Sequence, residues 1–278
     1  MPTEGLGSMS DGTASRRRGT RRPPILLVML GGFGLLFLLI PLMGLLGEVA
    51  WSDLPELLGR PVVVDAMRLS LLSSVAATLL AAVIGVPLAW LLAKVDFPGR
   101  SLVRGLVLLP LVLPPVVGGA ALLFALGRRG VVGGPLHDLT GLVLPFSIWG
   151  VVIAATFVSM PFLVITVEGA LTALDDRYEW AGATLGAGRW TVLRRVTLPL
   201  IAPSLGAGLI LTWARALGEF GATITFAGNL QGRTQTLPLA VFVALESDRA
   251  IAVALSLLMV LVALAVLILL RNRWLRSL

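Results

Sequence analysis

Arg215 and Glu219 are the only ionisable residues in an otherwise apolar run from Leu200 to Phe226. They stand four apart, so on a helix they share one face. An ionisable side chain inside a bilayer is costly and usually faces a partner or a wet cavity. Two kinds of chemistry suit the pair. One is a mutual salt bridge that fixes helix packing. The other is an anion route, in which Arg215 offsets a dianion's charge and Glu219 keeps the site from trapping it, since conduction needs weak binding. Thr223 and Thr225 follow on the same run. Their hydroxyls can donate to oxyanion oxygens or bond back to their own helix.

Other chemistries lack their parts. No Gly-x4-Gly-Lys-Ser/Thr phosphate loop occurs, so ATP must be handled by another polypeptide. The chain has no cysteine and one histidine, His137, which rules against thiolate chemistry and a metal centre. We expect His137 to be solvated in an outer loop. Ser159 lies in an apolar segment without a nearby base, so a serine hydrolase is disfavoured.

The elements that position these residues are membrane helices. Hydrophobic residues make up 57% of the chain and charged ones 13%, far from the balance of a soluble domain. A span needs about 20 mostly apolar residues. Six segments qualify, at about 25–47, 66–93, 103–126, 142–170, 200–226 and 250–270. Residues 1–24 are polar and arginine-rich, and read as a disordered basic tail. The first apolar run is longer than a signal peptide's core and has no Ala-x-Ala site after it, so it reads as a retained helix. With the N-terminus inside, fifteen basic residues fall on the cytoplasmic side and six on the outer side. That asymmetry supports both termini in the cytoplasm and removes any need for nucleic acid to explain the net charge of +7. Pro110, Pro114, Pro115 and Pro161 interrupt two spans. Freed carbonyls must meet protein or a wet cavity, so the kinks are either packing features or pathway features.

Between the fourth and fifth spans lies a polar stretch, Asp175 to Pro199, with four arginines. It is longer than a helix connection requires. Asp175 or Asp176 can cap a short helix running to about Leu185, with Gly186 ending it in the left-handed conformation. Ala181, Gly182 and Ala183 would give that helix a face of little bulk, which another protein can approach closely. Arg189 to Val196 is expected to form a second short helix before Leu198-Pro199 opens the fifth span.

This stretch resembles the coupling loop of ABC importer permeases. The matching features are Glu179-Trp180-Ala181-Gly182, then Gly186, then Val196-x-Leu198-Pro199 ten residues later. One departure is the acid: the family's usual acidic position falls on Trp180, and Glu179 stands one residue earlier. Thr212 to Asn229, TWARALGEFGATITFAGN, is similar to molybdate permeases in particular; sulfate permeases share it only as far as Gly221. Phe97-Pro98-Gly99-Arg100, the run from Leu109 to Gly119 and the run from Phe157 to Phe162 match as well, so the likeness covers about residue 65 onward.

The resemblance implies an all-α polytopic protein with six transmembrane helices and the type I ABC importer permease fold, including a cytoplasmic coupling helix. Residues 25–278 would form the permease domain. It implies no enzyme activity and no cofactor in this chain, ATP and magnesium being bound by a partner ATPase. Glu179, Trp180, Ala181, Gly182, Gly186, Leu198 and Pro199 would couple to that ATPase. Arg215, Glu219, Thr223, Thr225, Pro114 and Ser159 would line the translocation pathway. The implied partners are two ATPase subunits, a second copy of the chain, an extracytoplasmic molybdate-binding protein received on the outer loops, above all 227–249, and the bilayer of a prokaryotic cell membrane. Within this class the alternative substrates are sulfate and thiosulfate, and tungstate beside molybdate. Outside it, an ion-coupled secondary anion transporter would work without an ATPase.

Overall fold

The computed structural model describes residues 24–175 and 177–274, with side chains to residue 268. The basic tail before Pro24, the alternative cap Asp176 and the side chains of Arg271, Arg273 and Arg276 lie outside the described residues.

Every regular element among the described residues is helical. The first of two units ends at Gly47, and its described part holds helix α1, Ile25–Gly47. It has the bounds read from the sequence. The second unit starts at Glu48. It contains α2 (Leu54–Gly59), α3 (Pro61–Lys94), α4 (Arg100–Val112), α5 (Pro115–Leu126), α6 (Gly133–Thr140), α7 (Ile148–Ala173), α8 (Arg177–Thr184) and α9 (Arg189–Val192). A π-helical segment, Leu193–Thr197, follows, then α10 (Leu198–Leu217), α11 (Gly221–Phe226), α12 (Leu237–Ser247) and α13 (Arg249–Trp274).

The core is the pairing of α3 with α7. Ser73, Ala77, Ala81, Gly85 and Ala89 recur every four residues along α3, and all are buried. A ridge of such small residues lets two backbones approach closely. A Cβ at Gly85 would lie 3.2 Å from both Met160 Cγ and Val164 Cγ2. Thr156 Oγ1 donates to the Ala77 carbonyl at 3.3 Å.

These contacts fix topology. Ala77 meets Thr156, and eight residues later Gly85 meets Leu163 and Val164. The two helices therefore run parallel, and Lys94 and Ala173 end on the same face. The chain between them must cross back once. That crossing is α4 plus α5, bent by 118° at their junction. Arg104 of α4 binds Glu168, donating from Nε at 2.8 Å, while Gly118 of α5 sits against Phe157 and Leu122 clusters with Ala154. Contacts thus descend α7 steadily, as one broken span requires. Helix α10 runs the other way along α7, with Gly208 against Leu163 and Ala216 clustered with Ala155. Helix α13 starts beside the start of α3, where Ala252 and Leu255 pack with Val63 and Ala66. One face therefore carries residues 95–99 and 174–197. The other carries 48–60, 127–147 and the region before α13.

The elements depart from the sequence reading in four places. The expected span 103–126 is two half-helices, because Pro114 and Pro115 bring no N–H to the ladder and hold Leu113 extended, at φ −66° and ψ 137°. Pro110 and Pro161, by contrast, are absorbed inside α4 and α7. The expected span 200–226 breaks at Gly218–Phe220. The second loop helix is not separate from the fifth span but continuous with α10 through the π segment. There the Leu198 amide bonds to the Leu193 carbonyl, one residue beyond α-helical register. Pro199 explains it: in α register its ring would collide with the Arg195 carbonyl, which it cannot satisfy. Finally, the outer loops fold into α6 and α12, which were not foreseen. In α6, His137 is not simply solvated: Arg128 Nε donates to its Nε2 at 3.1 Å.

Candidate functional site

Two places bring the expected residues together. The first is where the broken α4–α5 span touches the break after α10. Arg215 Nη1 lies 2.7 Å from Glu219 Oε2, and the Glu219 side chain is 2% exposed. Its other oxygen accepts from the Ala222 amide at 2.8 Å. Glu219 thus holds both sides of the break, closing the last turn of α10 and capping the first turn of α11. Helix α11 then presses on α5. A Cβ at Gly221 would lie 2.6 Å from Pro115 Cβ. One at Gly119 would lie 2.7 Å from Thr225 Cβ and 2.8 Å from the Ala222 carbonyl oxygen. The glycines are there because the half-helices meet backbone to backbone.

The remaining residues of this group divide by exposure. Pro114 and Gly218 are exposed, and Arg215 is partly so. Ser159 and Thr223 are enclosed, and their hydroxyls have no hydrogen-bond partner. Thr225 is back-bonded to the Gly221 carbonyl at 2.9 Å. Thr212, not singled out from the sequence, is also buried with a partnerless hydroxyl. It lies between Gly208 and Ala216 on the ridge that faces Leu163 and Ala155, level with Ser159. Phe220 stacks obliquely on Phe242 of α12, centroids 5.3 Å apart. Helix α12 is itself held by α3, where Ser70 Oγ accepts from the Leu237 amide at 2.6 Å.

The second place is the loop between α7 and α10. Asp175 Oδ1 accepts from the Arg177 amide at 2.9 Å and starts α8. Gly186 has φ +77°, and the amides of Ala187 and Gly186 bond to the carbonyls of Gly182 and Ala183. That is a Schellman stop, with glycine where a side chain would be strained. Of the small residues, Gly182 faces inward: a Cβ there would lie 3.0 Å from Val192 Cγ2. Ala181 and Ala183 are exposed along with Arg177, Tyr178, Trp180 and Leu185, so the outward surface is aromatic and apolar with a basic residue at its start, rather than low in relief. Trp190, Thr191, Arg194 and Arg195 line a cleft next to it. Leu198 packs on the main core and Pro199 is exposed. Glu179 turns inward. Its carboxylate lies 3.4 Å from Lys94 Nζ and accepts from Thr197 Oγ1 at 3.1 Å. Lys94 and Thr197 carried no signal of their own, being 85 residues upstream and 18 downstream of Glu179 in the chain.

A broken span, and a folded loop between α7 and α10 on one face, mark a polytopic α-helical architecture. The chain belongs to the family described as binding-protein-dependent transport system inner membrane component, whose model matches residues 81–277. It is therefore a multi-pass inner-membrane transport subunit rather than an enzyme. The molybdenum transport system permease protein ModB of Mycobacterium bovis is 47% identical over 221 residues, covering 79% of this chain and 83% of that one. Its namesake in Escherichia coli K12 is 45% identical over 183 residues, covering 66% and 80%. The sulfate transport system permease protein CysT of E. coli K12 is 38% identical over 217 residues, covering 77% and 78%. Among solved structures, a bacterial ABC transporter importing the acidic polysaccharide alginate shares the fold at TM-score 0.70 and 19% identity, covering 89% and 94%.

Proposed function

We propose that this chain is the membrane subunit of an ATP-driven molybdate importer, with tungstate as a second substrate. The observation that carries the reading is the 47% identity to a molybdenum permease across 79% of the chain. The sulfate permease matches a similar length at 38%. Sulfate and thiosulfate are accordingly the second choice.

The parts take the following roles. Arg215 draws the dianion to the junction of the broken spans, where Pro114 and Gly218 are open. Glu219 sets the strength of that attraction and holds the junction in shape. Ser159, Thr223 and Thr225 stand behind it, supplying hydroxyls when the helices reposition. Trp180 and Ala181 form the outward surface of the lever that meets an ATPase subunit. Glu179, Gly182, Gly186, Leu198 and Pro199 shape and root the lever. One lever per chain calls for a second copy of the chain and two ATPase subunits. A substrate-loaded binding protein docks on the opposite face, around residues 227–249. The arginine-rich lever face is cytoplasmic by charge asymmetry, with both termini on that side, residues 1–24 as a tail and the rest as one membrane domain.

Two experiments test this. In proteoliposomes holding the permease, its ATPase and its binding protein, radiolabelled molybdate uptake requires ATP and resists excess sulfate. Uptake by the permease alone, driven by a voltage or proton gradient, refutes the reading. Because the chain has no cysteine, Leu185→Cys gives a unique label at the lever. It reacts with an impermeant maleimide only from the cytoplasmic side.

A further inference from the structure

Three contacts of helix α8 with the rest of the subunit stand out among the described residues, and two of them run through one carboxylate. Glu179 reaches Lys94, the last residue of α3, at 3.4 Å. It also accepts from Thr197, at the root of α10, at 3.1 Å. The Lys94 side chain is 15% exposed, that of Glu179 27%, and Thr197 is buried. The third point is steric, with Gly182 pressed against the buried Val192 of α9. Helices α3 and α10 both pack on α7 in the core, and α10 leads directly into the Arg215–Glu219 junction.

We propose that Glu179 is a positioning residue, the joint that passes movement of α8 to α3 and α10 together. This deepens the reading of the loop as an ATPase-driven lever and rests on it. A docking acid would point outward, toward a partner. Here the outward surface carries Arg177, Tyr178, Trp180 and Leu185, and the acid is turned to its own subunit. A part-buried, charge-assisted contact is directional and stiff, whereas apolar contact alone lets a short helix slide. Without the joint, α8 still binds the ATPase, but its stroke is absorbed locally.

The test uses the permease–ATPase complex with its binding protein in proteoliposomes. Glu179→Gln keeps an acceptor for Thr197 and loses the charge facing Lys94. Thr197→Val removes only the hydroxyl. Glu179→Ala removes both contacts. We expect Glu179→Ala to co-purify with the ATPase at wild-type ratio while molybdate transported per ATP falls several-fold. Glu179→Gln and Thr197→Val each fall less. The exchange K94E/E179K restores most of the ratio, which a folding defect would not do. Loss of ATPase co-purification in Glu179→Ala but not Lys94→Ala overturns the proposal, since Glu179 would then touch the partner directly. An unchanged transport ratio also overturns it. If the wild-type complex shows no ATP-driven uptake, the importer reading fails. The joint is then judged by amide exchange, and α8 amides that exchange no faster in Glu179→Ala than in wild type overturn it.

Discussion

Gly119→Ala adds one methyl group between α5 and α11. The new Cβ would lie 2.7 Å from Thr225 Cβ, 2.8 Å from the Ala222 carbonyl oxygen and 2.9 Å from Ala222 Cα. Carbon atoms settle at about 3.5–4.0 Å, so α11 must retreat by roughly 0.6–0.8 Å. Two of the three obstructing atoms are backbone and cannot rotate aside. Retreat also disturbs Gly221 on Pro115 and the Glu219 cap on α11. Overpacking of this kind costs about 1–3 kcal/mol. Alanine recovers up to ~1 kcal/mol of helix propensity, which leaves a net loss of about 0–2 kcal/mol. Its neighbour Gly118 is the internal control. A Cβ there meets only the Phe157 ring edge at 3.2 Å, and a ring can tilt. Gly118→Ala should therefore be neutral or slightly stabilising. The two variants should differ by about 2 kcal/mol, or roughly 4–8 °C in midpoint for a chain of this size. Thermal unfolding in one detergent, followed by intrinsic tryptophan fluorescence, measures the difference directly. Midpoints within 1 °C of each other would refute the claim that the half-helices touch backbone to backbone.

Arg215→Ala should abolish uptake at normal protein levels, and should also destabilise by about 1.5–3 kcal/mol because Glu219 stays buried with only the Ala222 amide; surviving uptake in whole cells removes Arg215 from the route. Gly186→Ala places a side chain at φ +77° and should cost about 1–2 kcal/mol locally, seen as faster amide exchange in α8 and weaker retention of the ATPase. Ser70→Ala removes the acceptor for the Leu237 amide at a cost of about 1–2 kcal/mol, so exchange at Leu237 should rise while that of the α3–α7 pair stays unchanged.

Much of the fold was legible because long apolar runs report membrane helices directly. Ile25–Gly47 and the ends of α3 and α7 fall within a few residues of the reading. Gly186 was legible for a local reason, since a helix stop needs positive φ there. The Arg215–Glu219 pair followed from spacing alone. What escaped depends on neighbours distant in sequence. The prolines of Leu113-Pro114-Pro115 signalled a disturbance, but whether a proline bends or breaks a helix depends on what receives the freed carbonyls. Pro161 was absorbed and Pro114 was not. The π segment depends on Pro199 meeting a helix that was read as separate. Helix α12 spans 11 residues, too short for a span and too apolar for an ordinary loop. Glu179 was legible as part of the loop, but not its contacts, because its companions Lys94 and Thr197 are neighbours only after folding.

The every-fourth-residue ladder of Ala77, Ala81, Gly85 and Ala89 on α3 has a consequence for how this subunit can vary. Lipid tails are as oily as any side chain, so oiliness cannot hold α3 to α7 inside a bilayer. Thinness does that work instead. Drift at these rungs is policed by bulk and is nearly blind to polarity: a serine passes, while a leucine, though greasier than what it replaces, prises the bundle open.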